Sequence, residues 1–190
     1  MKKYVSLLFI FVLQGCLVSV PSTTETRIST DLYLSQHNSI SGRYQETKAF
    51  ASVTEFQSGD GKEFLYYTAD KYGTGKLWIA VPKSEVSTVV AGLNKYLEWS
   101  EKAKKNKDIF QKEITRFSAP SESSLINNFY KLDFFSGNSV SHFVLFSTCT
   151  SAGCSTTATV NEVNAKILVN ELVKYESGSF NMENVASKYN

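Results

Sequence analysis

Few residues in this chain have the type and spacing for chemistry, and three of them are cysteines. Cys16 follows a short basic start, Met1-Lys2-Lys3, and a nearly unbroken apolar run over residues 4–13. Charge, then an apolar stretch, then a small residue before a cleavage point is the order of a secretory signal. A run this short does not span a bilayer as a permanent helix. Cys149 and Cys154 flank Thr150-Ser151-Ala152-Gly153. In an exported chain the compartment is oxidising, so this pair most simply forms a disulfide. Closing so small a loop contributes about 2 kcal/mol on chain-entropy grounds. A redox motif wants two intervening residues rather than four, and a zinc site wants four ligands while no histidine lies nearby.

The residues before the cut, Leu13-Gln14-Gly15-Cys16, resemble a bacterial lipoprotein signal with its lipobox. Leu13, Gly15 and Cys16 fit that pattern, and Gln14 departs from it, standing where Ala or Ser is commoner. The resemblance implies that residues 1–15 are removed, that the Cys16 thiol is diacylated, and that lipid tethers the protein to a membrane. An ordinary secretory cut before Cys16 would want a second small residue at the position Leu13 occupies. Two acyl chains and an attached third hold firmly, since each buried methylene contributes about 0.8 kcal/mol and a single chain is marginal. Leu17 and Val18 come next. In enterobacterial lipoproteins an Asp there retains the protein in the inner membrane. Its absence implies, by the same resemblance, an outer-membrane address facing the periplasm in a host with two membranes.

The remaining candidates are weaker. His37 sits beside Asn38 in a polar stretch and reads as solvated, while His142 opens a strand beside Phe143 and reads as a structural histidine. Neither belongs to a metal pattern such as His-Glu-x-x-His. No Gly-x-Ser-x-Gly elbow is present. Gly59-Asp60-Gly61 and Gly73-Thr74-Gly75 read as hairpin turns rather than phosphate cradles, because neither opens a helix. Asp60, Asp70 and Asp133 would have to converge to support glycosidase-type chemistry. No catalytic residue, metal ligand or cofactor is therefore assigned. The aromatic residues mostly fall at core positions of strands and helices. Trp99 is the exception, off the apolar stripe of its helix, and marks a possible partner contact.

Composition narrows the partners. The chain has 190 residues, with 20 basic and 18 acidic side chains. Removing residues 1–15 takes out Lys2 and Lys3 and no acid, leaving 18 of each sign. A neutral domain lacks the clustered basic surface that nucleic acid requires. The hydrophobic content of 42% and aromatic content of 13% are globular values.

These residues must be positioned by a fold, and the patterning points to α+β. Residues 16–40, rich in Ser and Thr, read as a flexible tether, and residues 41–190 as one globular domain. Residues 44–56, Phe64-Leu65-Tyr66-Tyr67-Thr68 and Leu77-Trp78-Ile79-Ala80-Val81 read as strands joined by Gly-containing turns. Ser84 then suits a helix N-cap. Val86, Val89, Val90, Leu93, Tyr96 and Leu97 make one apolar stripe, and Lys102, Lys104, Lys105 and Lys107 crowd the helix C-terminus, where cations favour the dipole. Strands resume over residues 109–117, 130–134 and 142–149, with Lys131 and Asp133 expected on a wet face. Thr159 and Glu162 have capping-box spacing before a second helix that ends at Gly178. Strands in runs with a helix after each predict an antiparallel sheet of about six strands with two helices packed on it.

The functional expectation is a lipid-anchored envelope lipoprotein whose domain binds another envelope protein without catalysing a reaction. Two alternatives stay open: an envelope hydrolase or glycan-acting enzyme, and a carrier holding an apolar ligand between sheet and helices. The oligomeric state is not legible in the sequence.

Overall fold

The computed structural model describes residues 23–38, 41–56, 63–71, 75–118 and 129–180. The described chain is α+β, with two antiparallel sheets and two helices. The first sheet has the strand order β1 (Thr23–Ile28), β4 (Phe50–Phe56), β5 (Glu63–Asp70) and β6 (Lys76–Pro82). The second runs β3 (Arg43–Lys48), β2 (Tyr33–Asn38), β10 (Gly153–Val160), β9 (His142–Thr150), β8 (Phe129–Ser136) and β7 (Gln111–Ser118). Helix α1 (Val86–Asn106) follows β6, and α2 (Glu162–Glu176) follows β10.

The expected tether over residues 16–40 is corrected for residues 23–38, which form β1 and β2. Leu32 and Leu34 are fully buried, and Tyr33 and Ser35 alternate with them. β1 is polar, and it is a strand because β4 holds it in register from Thr23 against Phe56 to Ile28 against Ala51. Cys16 and residues 17–22 lie outside the described residues, as does the expected turn at Gly59-Asp60-Gly61.

One core joins both sheets and both helices. Val53, Leu65, Tyr67, Ile79 and Val81 come from the first sheet, and Leu132, Phe134, Val144, Phe146 and Val160 from the second. The expected stripe of α1 closes over them through Val86, Val89, Leu93 and Tyr96, and α2 adds Ala165, Leu168, Leu172 and Tyr175. Helix α1 lies close because of Gly92: a Cβ there would stand 2.9 Å from Thr115 Cγ2 and 3.0 Å from Leu132 Cδ1.

Both expected N-caps move. A one-turn 3-10 segment, Lys83–Glu85, precedes α1, and Glu85 rather than Ser84 is its N-cap, with no capping bond from its side chain. That carboxylate instead accepts from the Ser118 backbone N–H at 3.2 Å. Asn161 rather than Thr159 caps α2, accepting from the Asn164 N–H at 2.9 Å, while Thr159 belongs to β10. Capping needs a residue whose backbone has already left the strand. Asn161 has, at the end of β10, and Thr159 has not.

Candidate functional site

The face of the second sheet turned away from the helices carries the most distinctive surface. Alternation along β8 and β9 puts Phe134, Val144 and Phe146 in the core and leaves Phe135, Phe143 and Leu145 on the opposite side, where they are half-buried. β2 and β3 add His37 and Tyr44, which face one another in register. The Tyr44 and Phe143 rings stack with centroids 4.1 Å apart, and His37 meets Tyr44 edge-on at 5.3 Å. Burial pushes the Tyr44 hydroxyl pKa up. Gly137 makes room for this stack, since a Cβ there would lie 3.2 Å from Phe143 Cε2. The Asn138 side chain shapes the adjoining hairpin by accepting from the Val140 and Ser141 N–H groups at 2.9 and 2.8 Å.

Two open clefts meet on this face. One of about 580 Å3 is lined by His37, Arg43, Tyr44, Phe135, Asn138 and Phe143. The other, of about 280 Å3, shares His37, Tyr44 and Phe135 with it. It continues along β10 past Leu145 and residues 156–159 to Ser35, Lys71 and Leu77. The lining supplies aromatic surface, hydroxyl groups and two cations, but no assembled acid, base or nucleophile.

The groups whose chemistry would suit catalysis are buried elsewhere and each holds an internal partner, although the His142 Nε2 has none among the described residues. His142 is 3% exposed, stacks on Phe134 at 5.3 Å, and shares Nδ1 with Ser136 Oγ at 3.0 Å. Phe110 N–H donates to the same hydroxyl at 3.2 Å, and the Tyr96 hydroxyl donates to the His142 carbonyl at 2.8 Å. Burial holds the His142 pKa below its ordinary value. The Lys104 ammonium adds to that shift and Glu162 opposes it. Glu162 is clamped by the Ser100 hydroxyl and by Lys104 at 2.5 Å. Burial by itself would raise its pKa, but those two donors bring it net below the usual carboxylate range. This polar knot ties α1 to the first turn of α2.

Glu171 forms a second buried centre, at the first sheet. Thr30 Oγ1 lies 2.8 and 3.0 Å from its two oxygens, and the Tyr67 hydroxyl donates to Oε2 at 2.8 Å. Desolvation raises the Glu171 pKa despite these donors, and burial together with Glu171 raises that of Tyr67.

Cys149 and Cys154 face each other in the β9–β10 ladder and are bonded, with their Cα atoms 4.0 Å apart. Asp70 pairs with Lys76 at 2.5 Å. Asp133 pairs with Lys131 at 2.9 Å and is buried, which corrects the expected wet face of β8. Asp60 lies outside the described residues. Trp99 is half-buried rather than free. Its ring packs 6.2 Å from Phe110 and 6.0 Å from Phe134, with the Lys95 and Lys112 ammonium groups 4.9 and 5.4 Å from its centre. Among the described residues, no group of three His, Cys, Asp or Glu side chains could hold a metal ion, and no helix is long and apolar enough to cross a membrane.

Reading residues 16–40 as a tether hid His37 and Ser35, which are part of the groove. The alternation of Leu32 and Leu34 with Tyr33 and Ser35 is the signal that would have placed them on a strand. Against protein-family models, curated proteins and solved structures, the chain has no match.

Proposed function

We propose that this protein is a lipid-anchored envelope lipoprotein whose domain binds another envelope protein through the outer face of its second sheet. Residues 1–16 support the address, through the order of basic start, apolar run and lipobox cysteine. The observation that carries the binding reading is the open groove built around His37, Tyr44, Phe135 and Phe143. Half-buried aromatics beside an open cleft give a partner rigid apolar surface at low entropic cost. The same side chains contribute less to folding than those of the filled inner face.

The enzymatic alternative is less well supported because Glu162, Glu171 and Asp133 are paired with internal partners and His142, whose Nδ1 is shared with Ser136 and whose Nε2 has no partner among the described residues, is buried and lines neither cleft. The carrier alternative is less well supported because Tyr67, Tyr96, Phe134, Leu168 and Leu172 fill the space between sheets and helices. Trp99 remains a secondary contact surface, since its ring is shared among internal neighbours.

The experiment has two arms. Radiolabelled palmitate enters the wild-type chain and not Cys16→Ser; label in the variant refutes the anchor. A photo-crosslinking residue at position 44 in intact envelope gives a discrete adduct that the same residue at position 173, on the exposed side of α2, does not give. Equal adducts from both positions, or none from position 44, refute the binding face.

A further inference from the structure

The two strands that meet at the groove are barely joined. β2 pairs with β3 along its whole length and β10 pairs with β9 along nearly all of its own, yet β2 and β10 pair only at Ser35 and Thr159. Just beyond that point the β10 ladder skips Thr157, a bulge between Thr156 and Ala158. A bulge bends its strand and ends pairing on one side. Among the described residues, positions 153–156 pair with β9 and with nothing on their other side, and all four are exposed. An edge of this kind presents backbone N–H and C=O groups in the spacing that another strand reads.

The walls of the opening add two further observations. Ser35 is 1% exposed and borders the smaller cleft, and its hydroxyl has no hydrogen-bond partner among the described residues. A buried hydroxyl without a partner is costly and calls for one. The charges are one-sided as well. Arg43 and Lys71 line the clefts, and no carboxylate does. Among the described residues neither cation is ion-paired, whereas Lys76, Lys83, Lys104 and Lys131 each hold a carboxylate within 3.1 Å.

We infer that this seam is a docking site for an acidic peptide segment of the partner, which adds to the free edge of β10 in extended conformation. The inference rests on the binding reading above and supplies the chemistry of its ligand. Backbone hydrogen bonds to β10 hold the segment. The edge faces residues 147–150 of β9, so the segment runs on past Thr156 into the smaller cleft, where its side chains meet Leu145 and Phe135 and its carboxylates Lys71, with Phe143 and Arg43 lining the larger cleft beyond. The opposite charges set partner choice and approach more than they set affinity.

The test starts from a linear peptide display library selected on the detergent-purified full-length protein. Enriched peptides carry net negative charge and at least one apolar residue. The leading sequence, made as a labelled ten-residue peptide, is then measured by fluorescence anisotropy. Methylating its alternate backbone amides weakens binding more than tenfold, because edge pairing is lost while the side chains stay. Arg43→Glu with Lys71→Glu weakens it about tenfold, the scale of two exposed ion pairs reversed, and exchanging the peptide acids for Lys restores it. Both positions are exposed, so the variant melts as the wild type does. If it does not, Arg43→Gln with Lys71→Gln replaces it, with a smaller loss expected. Enrichment of neutral or basic peptides, indifference to N-methylation, or no enrichment overturns the proposal. A crosslink from position 44 alongside any of these results leaves the binding reading standing and removes only the acidic strand. Loss of both removes both.

Discussion

The two faces of the second sheet both carry large apolar residues, and among the described residues only the inner one lies under the helices. On the inner face Phe134, Val144 and Phe146 meet Tyr96 and the rest of the α1 stripe and are essentially inaccessible. On the outer face their sequence neighbours Phe135, Phe143 and Leu145 lie under no helix among the described residues and border an open groove. The hydrophobic effect accounts for the inner set completely, since burying a large side chain contributes about 1.5–3 kcal/mol. It accounts for the outer set only in part. Aromatic residues held half-exposed beside cations and a strand edge that have no partner among the described residues are what a binding surface requires, and the core does not need them there.

Deleting one ring from each face should give the largest difference between them. Phe134→Ala should cost about 3–5 kcal/mol, as truncation of a fully packed aromatic does, and show as a large fall in thermal midpoint. Phe143→Ala should cost about 1 kcal/mol or less, because its site is open to water, and shift the midpoint by no more than about 2–4 °C. A loss from Phe143→Ala as large as that from Phe134→Ala would break the distinction between the faces.

Next in size is the disulfide that pins the β9–β10 hairpin. Its reduction should lower stability by about 2 kcal/mol, with hydrogen exchange increasing first at residues 153–156, the edge that it braces. Free thiols titrating in the oxidised protein would overturn this.

The smallest effects are in the pH dependence of stability, where the two buried centres oppose each other. His142 has a folded pKa below its unfolded value of about 6.5. Its contribution is therefore present above that value and lost as the pH falls through the folded pKa. His142→Gln should flatten the acid-side decline in a series of denaturant melts. Glu171 has a raised folded pKa, so its contribution is present below the ordinary carboxylate value and lost as the pH rises through the folded one. Glu171→Gln should remove that decline. If neither substitution changes the profile, these groups do not titrate in the folded protein as described.

The sequence made the local features legible. The apolar stripe of α1 shows because its period of 3.6 residues is written in consecutive turns. The Cys149–Cys154 bond shows because its partners are five residues apart. The α+β class follows from runs of strand formers, each closed by a helix. Long-range pairing was not legible. β1, with the sequence Thr-Thr-Glu-Thr-Arg-Ile, has the composition of a linker and is a strand only because β4, across the β2–β3 hairpin, pairs with it. The expected single sheet is two, because the chain passes from the second sheet to the first between β3 and β4. The groove was hidden for the same reason: His37 and Tyr44 come from one hairpin and Phe135 and Phe143 from another, and no local pattern announces that β2 and β10 meet at a single position. Trp99 looked available because its helical angle lies off the stripe. It is engaged because β7 and β8 bring Lys112 and Phe134 to it.

The central claim is that the outer face serves binding while the inner face serves folding. The most direct test is crosslink yield from a photoreactive residue at position 44 in intact envelope, compared between the otherwise unchanged chain and the same chain carrying Phe143→Ala. The account predicts a discrete adduct in the first and its loss in the second, with the Phe143→Ala protein still folded by circular dichroism. An undiminished adduct in the folded Phe143→Ala protein would contradict it.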